Sequence, residues 1–248
     1  MKVTGRNLFC ITDPGVYRRG FKGLQLALAT GGVHFQSLVT GMPREMPRPA
    51  DLTIRGVALY RQCLPRDAQT RMMNELRGVI AAAPFFAPVT PSGRPMSVRM
   101  TAAGQFGWIT DRRGYRYETH HPAGQRWPEI PGSVLSVWAD VADCARLPES
   151  CLINLYQGDA RMGLHQDRDE ADFSCAVVSI SLGDEALFRI GNIERAGSTE
   201  SVWLQSGDVL VMGGPARLVH HGIDRIRPGS STLLDGGGRI NLTLRVVT

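Results

Sequence analysis

CLINLY (151–156), SCAVVSISL (174–182), ALFRIG (186–191), SVWLQ (201–205), DVLVMGG (208–214) and INLTLRVV (240–247) succeed one another along the C-terminal part of the chain, parted by Gly and Asp turns. Short apolar runs bounded by such turns read as β-strands. Upstream the pattern is mixed. LTIRGVALY (52–60) reads as one more strand, and Pro65 stands where a helix can begin. Met72, Leu76, Val79 and Ile80 then recur at helical spacing as far as Pro84. Val134, Leu135, Val137, Trp138, Val141 and Ala142 form a second amphipathic stripe, expected to end near Pro148. Between the two, residues 88–132 are dense in Gly, Pro and aromatics and read as short strands and turns. Two helices followed by many strands predict a mainly β fold with flanking helices, α+β in class. Its core would be a sandwich or barrel with helices on one face.

Composition narrows the function classes. The chain has 248 residues, 43% hydrophobic and 21% charged, which suits a globular domain with an ample core. No apolar run approaches the roughly 18 residues of a membrane helix, so no membrane role is expected. Five cysteines (Cys10, Cys63, Cys144, Cys151 and Cys175) contain no CxxC pair. That pattern speaks against a disulfide framework and for a reducing cytoplasm. The net charge of +5 resides entirely in residues 1–50, where seven bases face two acids; the rest holds 21 of each. The basic excess therefore belongs to the N-terminal segment and says little about the main domain. Residues 1–50 are expected to be a basic, poorly ordered extension, or translation starts at Met42 or Met46. Residues 51–248 form the main domain, with its strand-rich core over about 150–248.

Leu164-His165-Gln166-Asp167 is the first candidate for chemistry. In an extended segment alternate side chains point the same way, so His165 and Asp167 project together. An imidazole and a carboxylate so placed can share a metal, with His220 or His221 as the third ligand. Two His and one carboxylate leave about three positions open, the arrangement of non-haem Fe(II) oxygenases. A surface His beside a turn Asp would give the same pattern. The C-terminal strand adds weight. In 239–245, Arg239, Asn241, Thr243 and Arg245 face one side and Ile240, Leu242 and Leu244 the other. An edge strand with a solvated face would read alike, but a core strand with two inward guanidinium groups needs an anionic partner. A dicarboxylate suits that need, since Arg binds carboxylates bidentately. Asn154 and Tyr156 share a face and can donate to the same ligand.

Asn154-Leu155-Tyr156, Leu164-His165-Gln166-Asp167-Arg168-Asp169-Glu170, Arg217 with His221-Gly222-Ile223, and Arg239 with Asn241-Leu242-Thr243 and Arg245 together resemble the AlkB family, above all its bacterial DNA-repair member. The likeness runs from about Leu52 to the C-terminus and includes MSVRMTAAGQFGWITDRRGYRY (96–117). It implies a double-stranded β-helix (jelly roll) carrying an N-terminal nucleotide-recognition lid over about 88–132. It further implies an Fe(II)/2-oxoglutarate-dependent dioxygenase, with O2 as second cosubstrate. Carried over by position, it makes His165, Asp167 and His221 the iron ligands. Arg239 would take the distal carboxylate of 2-oxoglutarate with Asn154 and Tyr156. Arg245 would lie by the metal-side carboxylate and brace Asp167, and Asn241 would support the same strand. Trp108 would stack on the substrate base opposite His221. Tyr115, and Tyr117 with it, would make polar or phosphate contacts, Asp169 would face a cationic base, and Thr90, Arg94 and Met96 would complete the substrate surface.

The implied reaction is oxidative dealkylation of N-alkylated bases, of the 1-methyladenine and 3-methylcytosine type, in single-stranded DNA or RNA. Succinate, CO2 and formaldehyde would be the products. Such lesions pair poorly and are cheaper to extrude. Six arginines (94, 99, 112, 113, 116 and 126) against Asp111 and Glu118 mark the lid as the place for a phosphate backbone. A monomer with no obligate protein partner is expected. Two departures stand out: Thr90-Pro91-Ser92-Gly93-Arg94 replaces the family's Thr-Pro-Gly-Gly-Tyr turn, and Met212 stands where its best-known member has Trp. A tRNA demethylase, a same-fold oxygenase acting on protein or a small molecule, and a binding module that lost catalysis are the alternatives. A zinc hydrolase lacks its HExxH and would leave the arginines idle.

Overall fold

The first run, 52–60, is a hairpin and not the single strand expected. Strands β1 (Leu52–Ile54) and β2 (Val57–Tyr60) pair antiparallel across Arg55 and Gly56, at φ 49° and 81°. A two-residue hairpin turn of type I′ needs positive φ at both central residues. Arginine at the first of them carries no turn signal, which is why the sequence reads straight through. The computed structural model describes residues 48–248. Apart from 48–50, the basic N-terminal segment and both alternative start sites lie outside the described residues.

Helix α1 (Arg66–Ala82) begins directly after Pro65, buries Met72, Met73, Leu76 and Val79, and stops at Ala83 before Pro84. Next come β3 (Arg99–Gly104), β4 (Gly107–Asp111), β5 (Gly114–Glu118) and helix α2 (Gly132–Val141). Helix α2 ends seven residues short of Pro148, because Ala142 already turns extended at φ −83°, ψ 118°. The remaining strands are β6 (Ser150–Tyr156), β7 (Met162–His165), β8 (Val177–Gly183), β9 (Glu185–Ile190), β10 (Glu200–Leu204), β11 (Val209–Met212), β12 (His221–Arg227) and β13 (Arg239–Arg245).

They build a seven-stranded sheet, β1-β2-β11-β8-β13-β6-β3, and a four-stranded sheet, β10-β9-β12-β7, with β4-β5 as a separate hairpin. This is the jelly roll of the sequence reading, with two adjustments. Strands β1 to β3 join the large sheet from outside 150–248, and β3 lies inside the segment assigned to the lid. Strand β13 is central, between β8 and β6, and every residue in it is buried. The period-two pleat divides the large sheet between two cores. Ile153, Val178, Ile180, Leu182, Val209, Ile240, Leu242 and Leu244 pack on α1 and α2. Leu152, Tyr156, Val177, Leu210 and Met212 turn the other way, towards Phe188, Ile190, Val202 and Ile223 of the small sheet.

The cysteine reading needs correction. Cys144, in the irregular stretch after α2, is bonded to Cys175 just before β8, across 31 residues of sequence. The partners are brought together by tertiary packing, which an unpatterned spacing cannot reveal. Among the described residues no helix is long and apolar enough to cross a membrane.

Candidate active site

Between the two sheets lies a cavity of about 640 Å³, lined from both sides. His165 ends β7 and His221 begins β12, and the two are direct antiparallel partners, with ring centroids 4.6 Å apart. Asp167 follows two residues after His165. The three side chains each offer a ligand atom, all within 4.8 Å of one another. Gly222 permits this approach of strands: a Cβ there would stand 2.5 Å from the Met162 carbonyl oxygen. Nδ1 of His165 lies 2.9 Å from the Gly163 carbonyl and Nδ1 of His221 lies 3.0 Å from that of Val219. With each Nδ1–H donating there, both Nε2 lone pairs are left for a metal. Burial, then the neighbouring His165, pulls His221 down to about 4. Burial works against ionisation of Asp167, but Arg245 and the two imidazoles outweigh it and hold the carboxyl below its ordinary range. At neutral pH the cluster is thus a neutral imidazole ligand beside a carboxylate. His220 is not part of it; its Nδ1 lies 3.0 Å from the Asn192 carbonyl.

A buried ionic layer backs the triad. Arg245 reaches Asp167 Oδ2 from Nη2 at 2.7 Å and Glu170 Oε1 from Nε at 3.3 Å. Arg217 donates from Nη2 to Glu170 Oε2 at 3.0 Å and from Nη1 to the Asp167 carbonyl at 2.6 Å. The bracing of Asp167 by Arg245 is present as expected. The sequence alone marks no role for Glu170 or Arg217. Glu170 sits in Asp167-Arg168-Asp169-Glu170-Ala171-Asp172, which reads as an exposed acidic turn, and only its tertiary partners show that it is buried. Tyr117, expected to make a polar or phosphate contact, makes a polar one within the protein: its hydroxyl donates inward to Glu170.

Arg239, at the other end of β13, is fully buried and lines the cavity. Its Nη2 donates to Ser181 Oγ at 2.8 Å, and among the described residues no carboxylate pairs with it. Burial draws the guanidinium down to about 10. Its Nε and Asn154 Oδ1 are buried without a partner. Buried polar atoms are normally satisfied, and a buried charge more so. A carboxylate entering beside Arg239 and Tyr156 answers the deficit at the guanidinium Nε, whereas the Asn154 oxygen, itself an acceptor, calls for a donor. Asn241 donates to Ser179 Oγ at 2.7 Å and accepts from Thr243 Oγ1 at 3.0 Å, which fixes the strand face between the two arginines.

At the mouth, Trp108 and Tyr115 stack at 5.5 Å, and Trp108 Nε1 donates to Asp169 Oδ2 at 2.7 Å. Thr90, Met96, Met212 and Phe188 also line the cavity. Arg94 does not; its main chain closes the 90–94 turn on Thr90, and its side chain is exposed. Within the lid, Arg116 pairs with Asp111 and Glu118, and Arg113 with Asp111, so the basic excess of the sequence reading rests on Arg94, Arg99, Arg112 and Arg126. Exposed Arg168, within the quoted Leu164–Glu170 motif, and exposed Arg195, which the β9–β10 connection brings in without any local motif, also line the mouth.

A fold of two facing sheets with a His-Asp-His cluster between them defines a class. Residues 56–245 match the family model described as "2OG-Fe(II) oxygenase superfamily". The chain is 51% identical to the alpha-ketoglutarate-dependent dioxygenase AlkB homolog of Caulobacter vibrioides, over 77% of this chain and 88% of that one. It is 38% identical to the corresponding AlkB of Escherichia coli K12, over 72% and 85%. The solved structure of OsALKBH1 superposes with a TM-score of 0.68 at 29% identity, covering 79% of this chain and 99% of that chain. The chain belongs to the AlkB family of Fe(II)/2-oxoglutarate-dependent dioxygenases, with Fe(II), 2-oxoglutarate and O2 as its requirements.

Proposed function

We propose that this enzyme removes alkyl groups from the ring nitrogens of bases in single-stranded DNA or RNA. The observation that carries the reading is the pairing, across one cavity, of a metal-capable triad with an aromatic and carboxylate mouth. Iron, 2-oxoglutarate and O2, when bound, supply the oxidising power to hydroxylate an N-alkyl carbon, with succinate, CO2 and finally formaldehyde as products.

The chain's own residues do the rest. His165, Asp167 and His221 hold the metal, and Arg245 keeps Asp167 ionised and oriented. Arg239, with Asn154 and Tyr156, receives the far carboxylate of the cosubstrate, and Asn241 keeps that strand face in register. Trp108 and Tyr115 offer flat faces to an extruded base, a sequence-tolerant mode of holding it. Asp169 sets a negative charge beside that base, which favours cationic lesions such as 1-methyladenine and 3-methylcytosine over neutral bases. Thr90 and Met96 flank the opening, and Arg168 and Arg195 meet the phosphates on either side.

An Arabidopsis thaliana relative, 30% identical over 77% of this chain and 49% of its own length, is named a DNA N(6)-methyladenine demethylase; N6 is exocyclic and uncharged, so that name supports N-demethylation of a base in general and not the preference for cationic ring-nitrogen lesions. The test is to offer 1-methyladenine, 3-methylcytosine and N6-methyladenine in matched single-stranded DNA, duplex DNA and RNA. Loss of the methyl mass dependent on both Fe(II) and 2-oxoglutarate is expected, fastest on the single strands. Succinate formed without any loss from a base would discard this substrate class.

A further inference from the structure

Consecutive acids hold the β4–β5 hairpin to the body of the enzyme. Trp108 and Tyr117 are direct cross-strand partners, so their side chains leave the same face of the hairpin. Trp108 meets Asp169, and Tyr117 meets Glu170. The two acids have different surroundings. Asp169 is exposed at the cavity mouth, whereas the Glu170 side chain is 1% exposed and shared by Tyr117, Arg217 and Arg245. Arg245 in turn holds Asp167 Oδ2, and Arg217 holds the Asp167 carbonyl, so a hydrogen-bonded path through Arg217 and an ion-paired path through Arg245, which also reaches the Tyr117 hydroxyl at 3.5 Å, run from the hairpin to one metal-binding residue. Phe173 lies under the Arg217 guanidinium at 5.1 Å, which restrains that path further.

We infer that Glu170 is a positioning residue that links the β4–β5 hairpin, through Tyr117 and Arg245, to the metal carboxylate of Asp167. Seating of a base against Trp108 and retention of the metal are then coupled: each tightens the other. This part rests on the nucleic-acid reading above, while the link between metal and hairpin does not. A coupling of this kind is reciprocal by thermodynamic necessity.

The experiment uses the full chain stripped of metal, with Mn(II) as probe. In the wild type, Mn(II) should slow amide hydrogen exchange over residues 107–118 several-fold. Tyr117→Phe should abolish that slowing while binding Mn(II) within about twofold of wild type, a split that a merely structural role would not produce. Arg112→Ala, on the turn of the same hairpin, should retain it. Equal slowing in Tyr117→Phe, or none in the wild type, overturns the link. Mn(II) affinity is then measured with and without a single-stranded oligonucleotide carrying 3-methylcytosine. The wild type should gain about 5- to 150-fold, the usual span of such couplings, and Tyr117→Phe should gain nothing. Equal gains in both proteins overturn the coupling to substrate. Should the oligonucleotide fail to bind the wild type while the exchange result holds, the nucleic-acid reading falls and the hairpin link stands.

Discussion

Arg239 and Arg245 stand six residues apart on one face of one central strand, both buried, yet their surroundings are opposite. Arg245 is enclosed by Asp167, Tyr117 and Glu170. Burial works against its charge, but these neighbours overcome it and raise its pKa above the ordinary arginine value. Arg239 has a serine hydroxyl at 2.8 Å, an Nε without a partner, and a pKa drawn down by burial. The difference separates structure from reception. One guanidinium is already satisfied by the protein and holds a ligand-bearing carboxylate in place. The other is left in deficit, which is what a site for an anionic cosubstrate requires.

The comparison breaks most visibly at Asp167. Asp167→Ala strips the metal site and leaves Arg245 short of its closest anion, so turnover should vanish. Unfolding in urea should show a loss on the order of 3–5 kcal/mol, as for a buried pair broken on one side. The opposite balance is expected at Arg239. Arg239→Ala should raise the apparent KM for 2-oxoglutarate by about two orders of magnitude, the scale of a lost buried charge pair. The ligand-free protein should lose no more than about 1 kcal/mol, since no ion pair is broken. Arg239→Lys should fall between, because an ammonium cannot offer the bidentate fork.

The same contrast can be read without turnover. With Mn(II) present, 2-oxoglutarate at a hundred times its Kd should stabilise the wild type by about 2.7 kcal/mol. At the same concentration the shift should fall to about 0.4 kcal/mol in Arg239→Ala, as a hundredfold weaker Kd implies. The smallest effect is expected at the mouth. Trp108→Ala should weaken binding of an alkylated single strand by about 1–3 kcal/mol, the range for loss of one stacking platform. Succinate formation without nucleic acid should fall less than that binding does.

Much of this was legible in the sequence because β13 and the LHQD segment obey local rules. Strict alternation placed Arg239, Asn241 and Arg245 on one face, and the one-residue gap put His165 and Asp167 together. What could not be read depends on contacts distant in the chain. Arg55 adopts a left-handed turn without a turn signature, so 52–60 looked like a single strand. Glu170 looked like surface because the arginines that bury it lie 47 and 75 positions further along the sequence. Cys144 and Cys175 meet only when the end of α2 packs beside β8. Which of the six lid arginines Asp111 and Glu118 neutralise depends on the hairpin register, which sets Arg113 and Arg116 against them.

The central claim is that the cavity couples decarboxylation of 2-oxoglutarate to removal of an alkyl group from a base. Succinate and formaldehyde should therefore be counted together as the purified protein acts on single-stranded DNA bearing 3-methylcytosine, with Fe(II) and O2 present. The account predicts equal amounts of both once uncoupled turnover is subtracted, and no formaldehyde from the unmodified strand. Succinate accumulating at the same rate on both strands, with formaldehyde from neither, would contradict it.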